Sequence, residues 1–154
     1  TLKDEGDLVS YKESTLANLG LDAVKNKVEF YQGDACNLKP IYTGYDLILA
    51  ANLIDRLYEP SKLLTTIHER VIKGGLLMIT SPYTWLEEHT KKEEWVGGFK
   101  ENGENVSTLD GLKKVLNSHF KLIQGPQALP FVIRETSRKF QHTLSEVTIW
   151  EKID

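Results

Sequence analysis

The chain has 154 residues, 40% of them hydrophobic and 27% charged, with a formal net charge of −3 and a pI of about 5.8. That is enough apolar material for one compact domain spanning 1–154 with its own core, and the interspersed charges exclude the basic face of a nucleic-acid binder. The single cysteine, Cys36, excludes an internal disulfide framework and suits a reducing, cytoplasmic setting, and neither a membrane span nor a signal peptide is expected.

Residues 1–14 are polar and acidic, with one β-like patch at Leu8-Val9-Ser10-Tyr11. Ser14 is placed to cap a short helical turn through Leu19 that Gly20 ends. Val28-Glu29-Phe30-Tyr31 has strand character and is broken by Gly33-Asp34. After a loop through Pro40 and Gly44, Leu47–Ala51 is an unbroken apolar run, as in a strand buried on both faces. In an open parallel sheet ligands sit beyond the carboxyl ends of the strands, which places Asn52–Arg56 at the chemistry.

Pro60 and Ser61 open a helix with Leu63, Leu64, Ile67 and Val71 at helical spacing. Lys73-Gly74-Gly75 stops it, and Leu76–Thr80 makes a second buried strand, which predicts a right-handed βαβ unit. Ser81-Pro82-Tyr83 then ends at the same sheet edge as Asn52. An irregular insertion at about 84–106 carries Trp85 and Trp95. Thr108 is expected to cap a helix from Leu109 to about His119, and Phe120–Ile123 reads as a short strand. Pro130–Glu135 and Leu144–Trp150 follow as an antiparallel pair around the basic loop Ser137-Arg138-Lys139. The four histidines (His68, His89, His119, His142) lack metal-ligand spacing among themselves or with Cys36, so no metal is expected.

Gly33-Asp34-Ala35 after one strand, Tyr45-Asp46-Leu47-Ile48 into the next, Gly74-Gly75 before a third and a closing antiparallel pair resemble the second half of a class I S-adenosylmethionine-dependent methyltransferase. More narrowly, four stretches look like the carboxyl-terminal methyltransferase of ovothiol synthases. They are Gln32–Leu38, Ala50–Leu57, Ser81–Glu88 and Phe131–Thr136. That family is thought to methylate the imidazole of 5-thiohistidine (4-mercaptohistidine).

The resemblance implies an α/β Rossmann-like class I methyltransferase sheet, mostly parallel, with a terminal antiparallel strand pair. It implies S-adenosylmethionine as cofactor, with Asp34 accepting from the adenine amino group and Ala35 supplying a backbone N–H. Asn52 and Leu53 would face the methionyl part and the sulfonium. Taken alone, Gly33-Asp34 reads as a turn; within this context the cofactor reading is favoured. The family's first strands and glycine-rich loop are not in this sequence, so a longer polypeptide or another chain is expected to complete the sheet, through an amino-terminal portion or self-association.

Tyr83 and Arg134 stand nearest the chemistry among the candidates. Tyr83 is fixed by Pro82 at a strand's carboxyl end, and Arg134 suits a bidentate clamp on a substrate carboxylate. Arg134 reads equally well as an ion pair with Glu135 or Glu146. Trp85, Glu135, Lys139 and Phe140 complete the substrate candidates, with His142 behind them; Trp85 and Trp95 read also as core of the insertion. Asp55 and Arg56 either orient the loop after Asn52 or serve as a turn cap and a solvated charge. Cys36 is most simply a small buried residue, His142 a polar hairpin residue, and His68 exposed. The partner expected is a small amino-acid-derived substrate, with no nucleic acid and no membrane. Methyl transfer to another small metabolite and a non-catalytic Rossmann-like scaffold are the competing readings, and a nicotinamide enzyme is disfavoured because no Gly-x-Gly-x-x-Gly turn occurs.

Overall fold

The computed structural model describes residues 1–154, which divide into two compact units: residues 1–32 with 131–143, and residues 33–130 with 144–154.

In the first unit, β1 (Leu2–Glu5) pairs antiparallel with β2 (Leu8–Ser10), and Gly6, at φ +54°, supplies the left-handed residue of the turn. The helical turn expected from Ser14 is reduced to isolated turns. Thr15 rather than Ser14 caps them, its Oγ1 accepting the Asn18 N–H at 3.1 Å. Val28–Tyr31, expected as a strand, joins no sheet, and Phe30 is 92% exposed. Strand propensity acts only where a neighbouring strand completes the ladder, and none is aligned with this segment.

The second unit holds a four-stranded sheet. Its strands are β3 (Tyr45–Ala51), β4 (Val71–Ser81), β7 (Phe120–Arg134) and β8 (Phe140–Lys152), in the order β3-β4-β8-β7. β3 and β4 are parallel, connected through α1 (Pro60–Thr66), as the alternation of apolar runs predicts. β8 runs antiparallel to β4, with Thr80 opposite Val147 and Ser81 opposite Glu146, and a hairpin turn joins it to β7. The sheet is therefore mixed rather than mostly parallel. One parallel pair forms because only one strand–helix–strand crossover occurs; the rest of the sheet comes from the long hairpin. The tip of that hairpin, Phe131–Thr143, belongs to the first unit.

Gly74-Gly75 does not precede β4 but lies within it. The register slips between Tyr45 opposite Val71 and Leu47 opposite Leu76, a bulge in which Gly74 takes φ +76°. A Cβ on Gly75 would meet the Val71 side chain at 2.7 Å, so glycine is required for the close approach. β3 forms the sheet's edge, where Leu47 and Leu49 are 53% and 55% exposed, not covered as a doubly buried strand would be.

Helix α2 (Thr108–Leu116) is capped by Ser107, one residue earlier than expected, in a capping box with Asp110. The insertion contains a small hairpin, β5 (Phe99–Glu101) with β6 (Glu104–Val106), around Asn102-Gly103, both at positive φ. Trp150, Ile79, Leu77, Leu112, Leu116, Phe120 and Ile67 form the core between the sheet and the helices. No helix is long and apolar enough to cross a membrane.

The insertion and α2 meet so closely that a Cβ on Gly111 would lie 1.7 Å from the Val96 carbonyl oxygen. Gly111→Ala is therefore expected to destabilise by about 1–3 kcal/mol through overpacking, although alanine is the better helix former. Denaturant unfolding measures it, and a gain in stability would contradict the contact.

Candidate functional site

β3 and β4 end side by side, each in a residue with left-handed backbone: Asn52 at φ +48° and Tyr83 at φ +52°. Asn52 donates its N–H to the Thr80 carbonyl at 2.8 Å, continuing the ladder past the strand's end. Its Oδ1 accepts from the Ser145 hydroxyl at 2.7 Å and from Thr80 Oγ1 at 3.2 Å. The amide is thereby oriented from two strands at once, with its NH2 group left to the exposed side.

Just beyond, Asp55 is fully buried. Its Oδ1 accepts from Ser81 Oγ at 2.9 Å, and its Oδ2 accepts the Thr84 N–H and hydroxyl, each at 3.0 Å, and Arg56 at 2.9 Å. Arg56 also reaches the Thr84 carbonyl oxygen at 2.9 Å. Of the two readings open for this pair, orientation of the loop after Asn52 matches this geometry. The carboxylate ties the loop leaving β3 to the loop leaving β4, and a buried charge so placed is fully hydrogen-bonded.

Asp34 is exposed and its carboxylate makes local bonds. Oδ1 accepts the Cys36 N–H at 2.9 Å, the turn-forming arrangement, and Oδ2 accepts the Tyr58 hydroxyl at 2.8 Å. That hydrogen bond, with a smaller contribution from burial, raises the Tyr58 phenol to about 12. Cys36 is buried, its Sγ 3.3 Å from the Glu59 carbonyl oxygen. Ala35 and Leu53 line one apolar cleft of about 380 Å³, together with Leu38, Ile48, Ala50 and Leu64. Of the four positions expected at a cofactor, Ala35 and Leu53 share this cleft, whereas Asp34 bonds Tyr58 and Asn52 bonds Thr80 and Ser145, neither of them lining it.

Tyr83 is half-buried, its N–H held by Ser81 Oγ at 3.0 Å and its hydroxyl donating to Glu146 at 3.0 Å. Burial first, and then the Glu146 carboxylate, push this phenol far above its usual range, so it keeps its proton and acts as a donor, not a base. Trp85, expected at the substrate, is instead core of the insertion. Its Nε1 donates to Thr108 Oγ1 at 2.9 Å and its ring stacks on Trp95 at 6.2 Å.

Arg134, Glu135, Lys139 and Phe140 lie in the first unit, where their contacts are local. Arg134 pairs at 3.2 Å with Asp4, rather than with Glu135 or Glu146, and Lys139 pairs with Glu135. Phe140 is exposed. His68 stacks on the His119 ring at 3.7 Å rather than standing free on the surface.

Sequence reasoning missed Tyr58, Thr80, Ser81, Thr84 and Ser145. A signal existed in Thr80-Ser81, two hydroxyls at the end of an apolar run where a buried strand continues toward a loop.

The chain has a methyltransferase-like α/β fold. The neighbours that carry this are remote. One is a structure described by the conversion of a disulfide bond into a thioacetal group during echinomycin biosynthesis, with a TM-score of 0.52, 11% identity, and coverage of 90% of this chain and 62% of that one. Another is the cyclase SpnF, with a TM-score of 0.53, 14% identity, and coverage of 90% and 60%. A third is an S-adenosylmethionine-dependent methyltransferase from Methanosarcina mazei, with a TM-score of 0.51, 17% identity, and coverage of 81% and 67%. The chain thus spans about six tenths of the length of the first two. No protein-family model matches the sequence, and no curated protein matches it.

Asp55→Ala removes the acceptor shared by Ser81, Thr84 and Arg56. Leaving a buried hydroxyl and a cation without it is expected to cost about 3 kcal/mol, measured by denaturant unfolding. A change near zero would show that the two loops are held by other contacts.

Proposed function

We propose that this chain belongs to an S-adenosylmethionine-dependent N-methyltransferase acting on the imidazole of 5-thiohistidine in ovothiol biosynthesis. The observation that carries the reading is that Ala35 and Leu53 line one apolar cleft, with Asp34 and Asn52 their immediate neighbours in the chain, on a methyltransferase-like fold. The sequence resemblance to the ovothiol methyltransferases supplies the acceptor.

The residues fit the cofactor chemically. The apolar cleft beside Ala35 and Leu53 suits a flat adenine ring, and Asp34 retains acceptor capacity beyond its two present bonds, because an ionised carboxylate offers about four lone-pair sites. Asn52, with its carbonyl oxygen fixed by Ser145 and Thr80, presents amide N–H donors toward the methionyl end. When bound, S-adenosylmethionine supplies an activated methyl group. The protein's own part is alignment and exclusion of water, a contribution of roughly 7–11 kcal/mol in well-oriented systems. An imidazole nitrogen carries its own lone pair, so no strong base is needed. That requirement agrees with a Tyr83 that keeps its proton.

Titration calorimetry with S-adenosylhomocysteine tests the cofactor half. Binding is expected, and Asp34→Ala is expected to weaken it by about 1–3 kcal/mol. Tyr58→Phe, which removes only the phenol's bond to Asp34, should leave affinity nearly unchanged. No heat on mixing would overturn the reading. The acceptor half is tested with labelled methyl donor and 5-thiohistidine, locating the label by mass spectrometry; label on sulfur or on neither atom would overturn it.

A further inference from the structure

β3 is the outer strand of its sheet, with β4 as its one neighbour. Asn52 donates its N–H toward β4, and successive residues of a strand turn their main-chain groups to opposite sides. Leu47, Leu49 and Ala51 therefore offer N–H and C=O groups along an edge that no other strand of the sheet occupies. Native edges are commonly blunted by a charge, a proline or a bulge in the open stretch. Leu47-Ile48-Leu49-Ala50-Ala51 carries no charge and no proline, and the register slip lies before it, between Tyr45 and Leu47.

The edge is apolar on both faces. Leu47 and Leu49, opposite Leu76 and Met78 of β4, remain more than half exposed. On the other face, Ile48 and Ala50 border the apolar cleft beside Leu63, Leu64 and Ile67. A strand added here has to be apolar on both faces too, since a charge on either would lose water without gaining a partner. Val28–Tyr31 of a second molecule fails that requirement, because Glu29 would be turned to one of those faces. The stretch Leu47–Ala51 itself meets it.

We propose that two copies of this chain pair β3 with β3, antiparallel about a two-fold axis at Leu49, joining two four-stranded sheets into one. Leu49 then lies opposite its own counterpart, Leu47 opposite Ala51, and Ile48 opposite Ala50, so that all three outward-facing residues pair. The flanking Asp46 meets Asn52 of the other copy rather than a second carboxylate. A two-fold contact of this kind is self-complementary and closes at the dimer, leaving no free copy of the same edge. Ile48 and Ala50 of the second copy extend the apolar wall of the cleft. The inference stands on the sheet's edge and is independent of the methyl-transfer reading.

Sedimentation velocity over a dilution series of the whole chain tests the pairing, and a reversible monomer–dimer equilibrium is expected. Leu49→Lys sets like charges directly opposite each other across the axis and is expected to raise the dissociation constant about tenfold or more. Leu49→Glu should do the same. An equal mixture of the two variants should regain the dimer, because position 49 faces itself and the repulsion becomes an ion pair. Leu49 is exposed, so neither change touches the core, and circular dichroism checks that both variants fold. Amide hydrogen exchange at Leu47, Leu49 and Ala51 should slow on association, while Ile48 and Ala50, already bonded to β4, should not change.

A chain that stays monomeric throughout the series would overturn the proposal. So would association indifferent to both single variants, a mixture that fails to regain the dimer, or exchange protection that appears elsewhere and not along β3.

Discussion

Asp55 is the constraint on which the site depends. Two parallel strands bring their ends together, but the loops that leave them have no reason of their own to stay in register. One buried carboxylate, accepting from Ser81, Thr84 and Arg56, fastens the loop after β3 to the loop after β4. Burial of a charge is costly unless every lone pair is used, so the arrangement tolerates little drift. Asn52, three residues before Asp55, and Tyr83, two residues after Ser81, inherit that fixed geometry, and both adopt backbone conformations that need such support.

What the fold determines and what it leaves open separate along the same line. Hydrogen bonds knit the ends of β3 and β4 together, and the apolar cleft runs along β3 from Tyr45 to Leu53, against Leu63, Leu64 and Ile67. Reaction type is less constrained, as the cyclase among the structural neighbours illustrates: similar backbones host different chemistry. Because β8 runs antiparallel to β4, its early residues lie where β4 ends, Ser145 bonding the Asn52 amide and Glu146 the Tyr83 hydroxyl.

The parts of the chain that were legible are those where one strong local signal suffices. The apolar runs of β3 and β4 and the helical spacing of Leu63, Leu64 and Ile67 identify their elements, and Pro60 marks the start of α1. Val28–Tyr31 shows the limit of that signal, since alternation and β-propensity describe a segment able to pair and not one that does. Gly74-Gly75 was read as an end when it is a bulge, because glycine permits both and only the partner strand's carbonyl groups decide. The Asn102-Gly103 dipeptide is itself a hairpin signal, although it sits inside a charged stretch. Long-range polar partners were not readable at all. Nothing near Arg134 in sequence points to Asp4, and the Tyr83 to Glu146 bond joins residues separated by 63 positions.

The two glycines that let the insertion lie against α2 have a further implication. A Cβ at Gly97 would sit 2.4 Å from the Ser107 backbone, and one at Gly111 would strike Val96. Because both collisions are with main chain, no choice of neighbouring side chain relieves them. The insertion is thus held by missing atoms as well as by bonds such as that from Trp85 to Thr108, and any reshaping of it has to begin from the segments on either side of that seam.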